Sequence, residues 1–225
     1  MSDVSVIQSG DGSDSVFSSL FNSSYHSRYG AVTESKCIFI DAGLDYFIKT
    51  RTPETTQIIK IFEMGFGTGL NAFLTYIYAF QRHIIVSYTT VEAYPLPIEL
   101  VDTLNYSELM GFKDVFKSLH KSLWNHEISL NEHFKFTKIF STLETYEVNE
   151  NFDIIYFDAF GPQSQPELWS DDVLNKMYRM LVSGGILTSF CAKGSFKRSL
   201  KSAGFTVESM PGPPGKREIT RAMKF

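Results

Sequence analysis

The sequence has few of the residues that mark secreted, metal-binding or membrane-spanning proteins. Its two cysteines, Cys37 and Cys191, are too few for a disulfide framework or a zinc site, and its five histidines show no metal-ligand spacing. No apolar run approaches the ~20 residues that a membrane span needs, and the polar residues 1–12 do not resemble a signal peptide. We therefore expect a cytoplasmic protein that uses no metal and binds no membrane.

An overall positive charge is also missing, because the formal net charge of the 225 residues is −4. The charge is nevertheless uneven. Residues 193–225 hold eight basic and two acidic side chains, a local charge of +6, and the remainder of the chain carries −10. This distribution permits a phosphate-binding patch on an acidic protein. A solvated helix face with a basic tail accounts for it equally well, so charge alone leaves both interpretations open.

Strand-like and helix-like segments alternate from residue 58 onward. Apolar, β-branched runs predict strands, and apolar residues at helical spacing predict helices. The predicted strands are 58–63, 84–92, 134–140, 152–158, 186–191, 205–210 and 219–224. One predicted helix begins at Leu70, and four more cover 97–104, 114–123, 172–181 and 196–203. The alternation predicts an α/β fold with a mostly parallel sheet and helices on both faces. A final antiparallel hairpin makes this the seven-stranded, Rossmann-like arrangement of class I S-adenosylmethionine-dependent methyltransferases.

The residues before the first core strand are expected to pack on the core as an extension. Residues 1–30 are rich in serine, glycine, aspartate and asparagine and predict an irregular or loosely stranded arm. The short runs Cys37–Ile40 and Tyr46–Lys49 predict a β-hairpin around a central turn. We therefore expect one structural unit in two parts, the arm and hairpin at 1–57 and the methyltransferase domain at 58–225.

A glycine-rich turn follows the first core strand and leads directly into a helix. Gly65, Gly67 and Gly69 read G-x-G-x-G, not the G-x-G-x-x-G of dinucleotide-binding folds, which argues against a pyrophosphate on the helix N-terminus. Glu63, just before the turn, would repel a phosphate but suits a cationic or hydroxyl-rich ligand such as S-adenosylmethionine. A turn without a ligand is the less favoured alternative, because three glycines in five residues weaken a helix start.

Two further acidic residues end predicted strands, where α/β sheets bind their ligands. Glu92 closes the second strand and could accept both hydroxyls of a ribose, or else cap the next turn. Asp158 ends the most apolar strand, where a carboxylate is costly to bury without partners. Methyl transfer to an amine needs a neutral lone pair, and a carboxylate can orient the amine and accept its proton. We therefore expect Asp158 to be the catalytic residue.

Several motifs together resemble the methyltransferase domain of the MnmC type, from about Asp11 to the C-terminus. They are Tyr25-His26-Ser27-Arg28-Tyr29-Gly30-Ala31, Glu34-Ser35, Phe39-Ile40, the Glu63–Asn71 turn, Asp158-Ala159-Phe160, Pro166-Glu167-Leu168-Trp169 and Gly212–Glu218. The resemblance implies methylation, by S-adenosylmethionine, of the exocyclic amine of 5-aminomethyl-2-thiouridine at the tRNA wobble position. It places Asp158 at the transfer site. It implies cofactor contacts from Glu63, Gly65, Phe66, Gly67, Thr68, Gly69, Asn71 and Glu92.

The resemblance, the charge distribution and the aromatic residues together lead to expectations about tRNA binding. The segment Tyr25–Glu34, which includes His26, is expected to fold over the pocket, and Phe160, Tyr25 or Tyr29 to stack on a splayed wobble base. The basic residues expected to face the anticodon arm are Lys197, Arg198, Lys201, Lys216 and Arg217. Many members of the family carry a fused flavin-dependent oxidoreductase domain, for which 225 residues leave no room. We expect another enzyme, or a separate oxidoreductase, to supply the aminomethyl precursor.

Three other functions stay open at this point. Methyl or aminopropyl transfer to a small-molecule amine fits the same core, although such enzymes usually hold polycationic substrates with several acidic residues. An inactive binding module is opposed by the intact glycines and by the presence of Glu92 and Asp158. A nicotinamide-dependent oxidoreductase is least favoured, because of the glycine spacing.

Overall fold

The structure, a computed structural model, describes residues 4–51, 57–148 and 150–225. Its first element is a small antiparallel sheet of β1 (Val4–Gln8), β2 (Asp14–Ser18) and β3 (Ser23–Ser24). An unbroken helical segment follows, which we call α1, and it is α-helical at Ala31–Ser35, π-helical at Lys36–Asp45 and α-helical at Tyr46–Arg51. The expected N-terminal antiparallel extension is therefore present, but its strands lie within residues 4–24.

The position expected for the hairpin is wrong, because Cys37–Ile40 and Tyr46–Lys49 both lie in α1. This part of α1 is buried on most sides, so its apolar residues are consecutive and lack the spacing of an amphipathic helix. Gly43, at the centre of the expected turn, lies instead in the helix, at a close contact with the sheet. A Cβ atom there would lie 3.3 Å from the Tyr156 ring and 3.4 Å from Thr188. Glycine thus lets α1 pack closely on the central sheet.

The parallel core is as expected, with one strand more in the described residues. The sheet contains β4 (Ile58–Met64), β5 (Ile85–Glu92), β6 (Glu127–Asn131), β7 (Phe134–Phe140), β8 (Phe152–Phe157), β9 (Leu181–Ser189), β10 (Thr206–Pro211) and β11 (Glu218–Met223). Their order is β10-β11-β9-β8-β4-β5-β7-β6. Strands β9, β8, β4, β5 and β7 are parallel, whereas β10, β11 and β6 extend the sheet by antiparallel pairing. The additional strand β6 is an edge strand.

Helices cover both faces of this sheet and give two apolar cores. They are α2 (Leu70–Arg82), α3 (Ile98–Val101), α4 (Tyr106–Met110), α5 (Lys113–Lys121), α6 (Asp171–Met180) and α7 (Gly194–Ser202), with a 3₁₀-helix at Pro166–Trp169. Helix α2 buries Leu70, Phe73 and Leu74, as their spacing predicts. Helix α6 begins where the Ser170 hydroxyl accepts a hydrogen bond from the Val173 amide.

The order of the strands determines where a ligand can bind. After β4 the chain continues to β5 on one side, and β8 later pairs with β4 on the other. The connections therefore diverge at the carboxyl ends of β4 and β8, which is the crevice where open α/β sheets bind ligands. The glycine-rich turn and Asp158 follow these two strands directly.

Two features are absent from the described residues, a membrane-spanning helix and a cluster of metal ligands. None of their helices combines the length and apolar character needed to cross a bilayer. Among the same residues, no group of three or more histidine, cysteine, aspartate or glutamate side chains is arranged to hold a metal ion.

Candidate active site

A cavity of about 690 Å³ opens at the carboxyl ends of β4, β5 and β8. Its walls come from the glycine-rich turn, the segments that follow β5, β7 and β8, the N-terminal arm and the β10–β11 connection. Most of the residues expected at the site line it: Tyr25, His26, Glu34, Gly65, Phe66, Gly67, Thr68, Asn71, Glu92, Asp158, Phe160 and Lys216. The fold thus brings together side chains that are up to 191 positions apart in the sequence, from Tyr25 to Lys216.

Two glycines of the turn are required by close contacts as well as by backbone conformation. Gly65 and Gly67 have φ angles of 92° and 50°, values that favour glycine. A Cβ atom on Gly65 would lie 3.1 Å from the carbonyl oxygen of Asp158, and one on Gly67 would lie 2.8 Å from the Tyr25 ring. The turn is therefore held between the catalytic candidate on one side and the N-terminal arm on the other.

Glu92 joins the second strand to the glycine-rich turn. Its carboxylate accepts hydrogen bonds from the amides of Gly67, at 2.9 Å, and Tyr94, at 2.7 Å. Burial raises the pKa of Glu92, and these backbone amides lower it. A carboxylate has about four acceptor positions, so two backbone bonds leave capacity for hydroxyl donors from the cavity.

The donors and acceptors of the cavity suit S-adenosylmethionine. Acidic groups at the cavity floor disfavour a phosphate but accept bonds from ribose hydroxyls and from an ammonium group. The side-chain oxygen of Asn71, Oδ1, is buried without a hydrogen-bond partner, and it is a second acceptor at this floor. Glu92 and Asn71 would therefore hold the hydroxyl and ammonium groups of such a cofactor.

Asp158 lies at the end of β8 and is fixed by α2. The Asn71 side-chain amide donates a hydrogen bond of 2.7 Å to its Oδ2 atom. Burial raises the pKa of Asp158 to about 7; the Asn71 bond lowers it, the charge of Glu34 raises it and that of Lys216 lowers it. Near neutral pH this carboxyl group can therefore exist with or without its proton, as a group that accepts a proton during a reaction must.

Glu63, which the sequence analysis expects at the cofactor, does not line the cavity. It has no exposed surface, and the side chains of Thr90, Asn71 and Tyr88 surround it, although neither carboxyl oxygen reaches hydrogen-bond geometry with them. Burial, followed by the charge of Asp158, raises the pKa of Glu63 well above its usual range. Glu63 thus lies beneath the cavity floor, where burial favours its protonated form. Gly69 also lies outside the cavity, at the N-cap of α2.

The N-terminal arm covers the cavity through aromatic contacts. The Phe21 ring stacks on Phe160, with ring centroids 4.4 Å apart, and contacts Tyr94 edge to face at 5.2 Å. The Tyr25 ring meets Phe160 at 4.8 Å. Nε2 of His26 lies 2.7 Å from the Thr68 hydroxyl, and burial lowers the pKa of His26 to about 4. The arm is therefore joined to the loops that follow β4, β5 and β8.

The turn between β1 and β2 fixes the start of α1. Its side chains accept hydrogen bonds from three successive amides: Ala31 to Ser9 at 3.1 Å, Val32 to Ser13 at 3.1 Å and Thr33 to Asp11 at 2.9 Å. These bonds satisfy amides that a helix N-terminus leaves without partners. The next residue is Glu34, whose buried side chain lines the cavity, so the turn positions this carboxylate.

The basic residues of the last third are less available than their number suggests. Lys216 lines the cavity and lies 3.3 Å from Glu34. Lys197 is bonded to Glu218 at 2.8 Å and to Ser209 at 2.6 Å. Among the other expected tRNA contacts, the residues exposed outside the cavity are Arg198, Lys201 and Arg217.

Sequence reasoning missed several residues of the cavity wall. They include Phe21, Tyr94, Gln165 and Phe190. Tyr94 directly follows β5, so the rule that ligands bind at strand ends could have identified it. Nothing in the sequence alone indicates Phe21, because its position depends on how the arm folds back.

Comparison with known proteins places the chain in a family. A family model described as S-adenosyl-L-methionine-dependent methyltransferase matches residues 112–225, just over half of the chain. The "tRNA 5-methylaminomethyl-2-thiouridine biosynthesis bifunctional protein MnmC" of Pseudoalteromonas atlantica is 29% identical over 222 residues, which cover 88% of this chain and 30% of that protein. The protein of the same name from Aromatoleum aromaticum is 30% identical, with 91% and 33% covered. The chain thus spans about a third of the length of these curated relatives.

The fold has a solved counterpart of similar extent. The crystal structure of MnmC2 from Aquifex aeolicus matches 99% of this chain and 70% of that one, with a TM-score of 0.78 and 21% identity. This match shows that the two proteins share a fold. The chain belongs to the S-adenosyl-L-methionine-dependent methyltransferases, and S-adenosylmethionine is its cofactor.

Proposed function

We propose that this enzyme methylates the aminomethyl group of wobble 5-aminomethyl-2-thiouridine in tRNA. The observation that carries the proposal is Asp158, a half-buried carboxylate with a pKa of about 7 that is oriented by Asn71 at the floor of the cofactor cavity. An amine that is protonated must lose a proton before its nitrogen can accept a methyl group, and such a carboxylate can accept that proton. The names of the relatives supply the choice of nucleoside.

The proposed steps use groups of the chain that already face the cavity. Asp158, in its ionised form, accepts one proton from the substrate ammonium and becomes neutral, which leaves an amine with a free lone pair. Asn71 keeps the carboxyl group directed at the amine, and the arm excludes water through Tyr25 and Phe21. When bound, S-adenosylmethionine supplies the methyl group, whose bond to sulfur breaks as the bond to nitrogen forms.

A tRNA substrate would be bound by the exposed basic residues near the cavity. Arg198, Lys201 and Arg217 are the candidates, because Lys197 is already paired with Glu218. Phosphate contacts supply much of the affinity of such complexes. Phe160, Tyr25 or the exposed Tyr29 would stack on the wobble base. We propose that the reaction takes place in the cytoplasm and that a flavin-dependent oxidoreductase or another enzyme supplies the aminomethyl group.

A second candidate, transfer to a small-molecule amine, is favoured by one observation. Enzymes that act on polycationic amines use several carboxylates, and Glu34 and Glu92 line this cavity together with Asp158. The exposed basic residues do not serve such a substrate.

The test supplies labelled S-adenosylmethionine together with either tRNA that contains 5-aminomethyl-2-thiouridine or a set of small polyamines. The proposal predicts label in the wobble nucleoside of the tRNA and none in the polyamines. The opposite distribution would establish the second candidate and reject the first.

A further inference from the structure

The ammonium group of Lys216 lies in a site that is built for a cation. It is 3.3 Å from Oε2 of Glu34 and 4.8 Å from the centroid of the Phe190 ring. A carboxylate and an aromatic face are the two kinds of group that attract an ammonium ion most strongly. Glu34, Phe190 and Lys216 all line the cavity that contains Asp158, so this cation site and the transfer site share one space.

Glu34 is not accounted for by the needs of the fold. Its Oε1 atom accepts a hydrogen bond of 2.8 Å from the Ser27 amide, but its Oε2 atom is buried without a hydrogen-bond partner. The ion pair with Lys216 is long, at 3.3 Å, for a charge-assisted contact. Burial of a carboxylate with incomplete partners is unfavourable. Glu34 is kept in this position because Ser9, Ser13 and Asp11 accept hydrogen bonds from the three amides that precede it in α1. Such an arrangement indicates that Oε2 is kept for a ligand.

The side chain of lysine and the proposed substrate end in the same chemical group. Each carries a primary ammonium on a CH₂ carbon, with three N–H donors. Asp158 and Glu34 offer carboxylate oxygens on the walls of one cavity, and Phe190 adds an aromatic face. A ligand ammonium in place of Lys216 would therefore have charged acceptors for its donors.

We propose that Glu34 and Phe190 form the docking site for the substrate ammonium, and that Lys216 fills this site in the free enzyme and leaves it when the substrate enters. This rests on the proposed function and names Glu34 as a positioning residue that selects a primary amine over a neutral group. Lys216 can leave by rotation about its side-chain bonds, since its four-carbon stem is flexible. Until the substrate arrives, the positive charge of Lys216 offsets the negative charges of Glu34 and Asp158.

The experiment measures binding, so that it does not depend on turnover. Two anticodon stem-loop RNAs are titrated against the protein loaded with S-adenosylhomocysteine, one with 5-aminomethyluridine and the other with 5-hydroxymethyluridine at the wobble position. The ratio of the two affinities isolates the ammonium group, because contacts to phosphates are common to both RNAs. The wild-type protein is expected to prefer the aminomethyl RNA by roughly tenfold or more, as a charge-assisted hydrogen bond implies.

Two variants give opposite results under this account. Glu34→Gln keeps an acceptor for the Ser27 amide but loses the charge, and the preference should fall towards one. Lys216→Met removes the internal competitor, and the preference should rise even if both RNAs lose affinity through a lost phosphate contact. The exposed pair Glu127 and Lys135, 3.0 Å apart at the sheet edge, supplies matched controls. Glu127→Gln and Lys135→Met should leave the ratio unchanged.

The outcomes separate this inference from the proposed reaction. Equal wild-type affinity for the two RNAs, or an unchanged preference in Glu34→Gln with unaltered cofactor affinity, overturns the docking site. A lower preference in Lys216→Met overturns its role as an internal competitor. A wild-type protein that prefers the aminomethyl RNA but transfers no methyl group to it overturns the proposed reaction and leaves the docking site standing.

Discussion

Asp158 combines two properties that a proton acceptor needs, a fixed orientation and a pKa near neutrality. Asn71 provides the first through a 2.7 Å bond. Burial provides the second, against the effect of that bond. The charged or titratable groups around it are Glu34 on α1, Lys216 between β10 and β11, Glu63 on β4 and Tyr88 on β5. The pKa of Asp158 therefore depends on charged groups from several different elements.

The rate of methyl transfer should depend on the ionisation of Asp158. The ionised form accepts the proton, and its pKa is about 7. The kcat/KM should therefore rise as the pH increases from 5.5 to 8.5, by about tenfold per pH unit below ~7, and then level off. Steady-state kinetics across this range check the prediction. A profile that is flat over the range would exclude Asp158 as the titrating group.

Substitution of Glu63 should change how stability depends on pH. Its pKa is raised in the folded state, so its contribution is full below the unfolded pKa of ~4.5 and is lost as the pH rises towards the folded value. Glu63→Gln removes this titration. Thermal unfolding should show that the variant gains stability relative to wild type between pH 5 and pH 8. A constant difference between the two proteins would mean that Glu63 is not buried in its neutral form.

The residues that sequence could predict are those whose chemistry is local in the chain. The glycine-rich turn, Glu92 and Asp158 each follow a recognisable strand, and the structure places them together because parallel strands end at one edge. The sequence does not show that Glu63 lies beneath the cavity and not in its wall, because adjacent residues of a strand alternate in direction and burial is not visible in a short motif. Phe190 and Phe21 enter the site through tertiary packing, for which the sequence carries no spacing.

At the level of elements, the arm decides how the site is closed. Its β1–β2 turn caps α1, and its later residues contact the loops after β4, β5 and β8. The prediction of a hairpin was wrong here, because a helix buried on most sides has the same consecutive apolar residues as a strand. Gly43, which suggested a turn, instead allows close packing against the sheet. The core strands were predicted within a few residues, since alternating apolar runs bounded by turns are a strong signal.

Loss of the Asp11 cap should weaken α1 in a pH-dependent way. Burial raises the pKa of Asp11, but bonds from Ser13 and Thr33 outweigh this and hold it well below its usual range. The stabilisation is therefore full above the unfolded pKa of ~3.9 and is lost as the pH falls further. Asp11→Ala should cost about 1 kcal/mol at pH 7 and less at pH 3.

Chemical denaturation at the two pH values measures this effect, and Asp102→Ala, an exposed aspartate after α3, is the control. Equal losses at pH 7 and pH 3 would contradict the assigned role of Asp11.

For the whole molecule, we propose that residues 1–57 and 58–225 form one cooperative unit. Helix α1 buries Ile38, Phe39 and Leu44 in the same apolar core as α2 and the central sheet. Unfolding of either part would expose that shared surface. Calorimetry should therefore show a single transition with equal calorimetric and van't Hoff enthalpies; two separate transitions would contradict the proposal.

Folding of the whole molecule also pairs several basic side chains with acidic ones. Lys197 and Arg221 are paired with Glu218 and Glu208, which the charge of +6 for residues 193–225 already includes. Lys216 is paired with Glu34 from outside that segment, so the positive charge available there is smaller still. Arg198→Glu with Lys201→Glu should weaken tRNA binding, reduce its dependence on salt by about two ion equivalents, and leave cofactor affinity unchanged.

Titrations at several salt concentrations check this expectation, with Lys135→Glu as the control. Unchanged tRNA affinity in the double variant would remove this surface from the interface.

The measurement that tests the central claim most directly is the mass of the wobble nucleoside after reaction. The purified protein is incubated with S-adenosylmethionine and tRNA that contains 5-aminomethyl-2-thiouridine, and Asp158→Asn is treated in parallel. The account predicts a gain of one methyl group with the wild type and a loss of roughly 10²-fold or more in rate with the variant, although the variant still binds the cofactor. Equal methylation by both proteins, or none by the wild type, would contradict it.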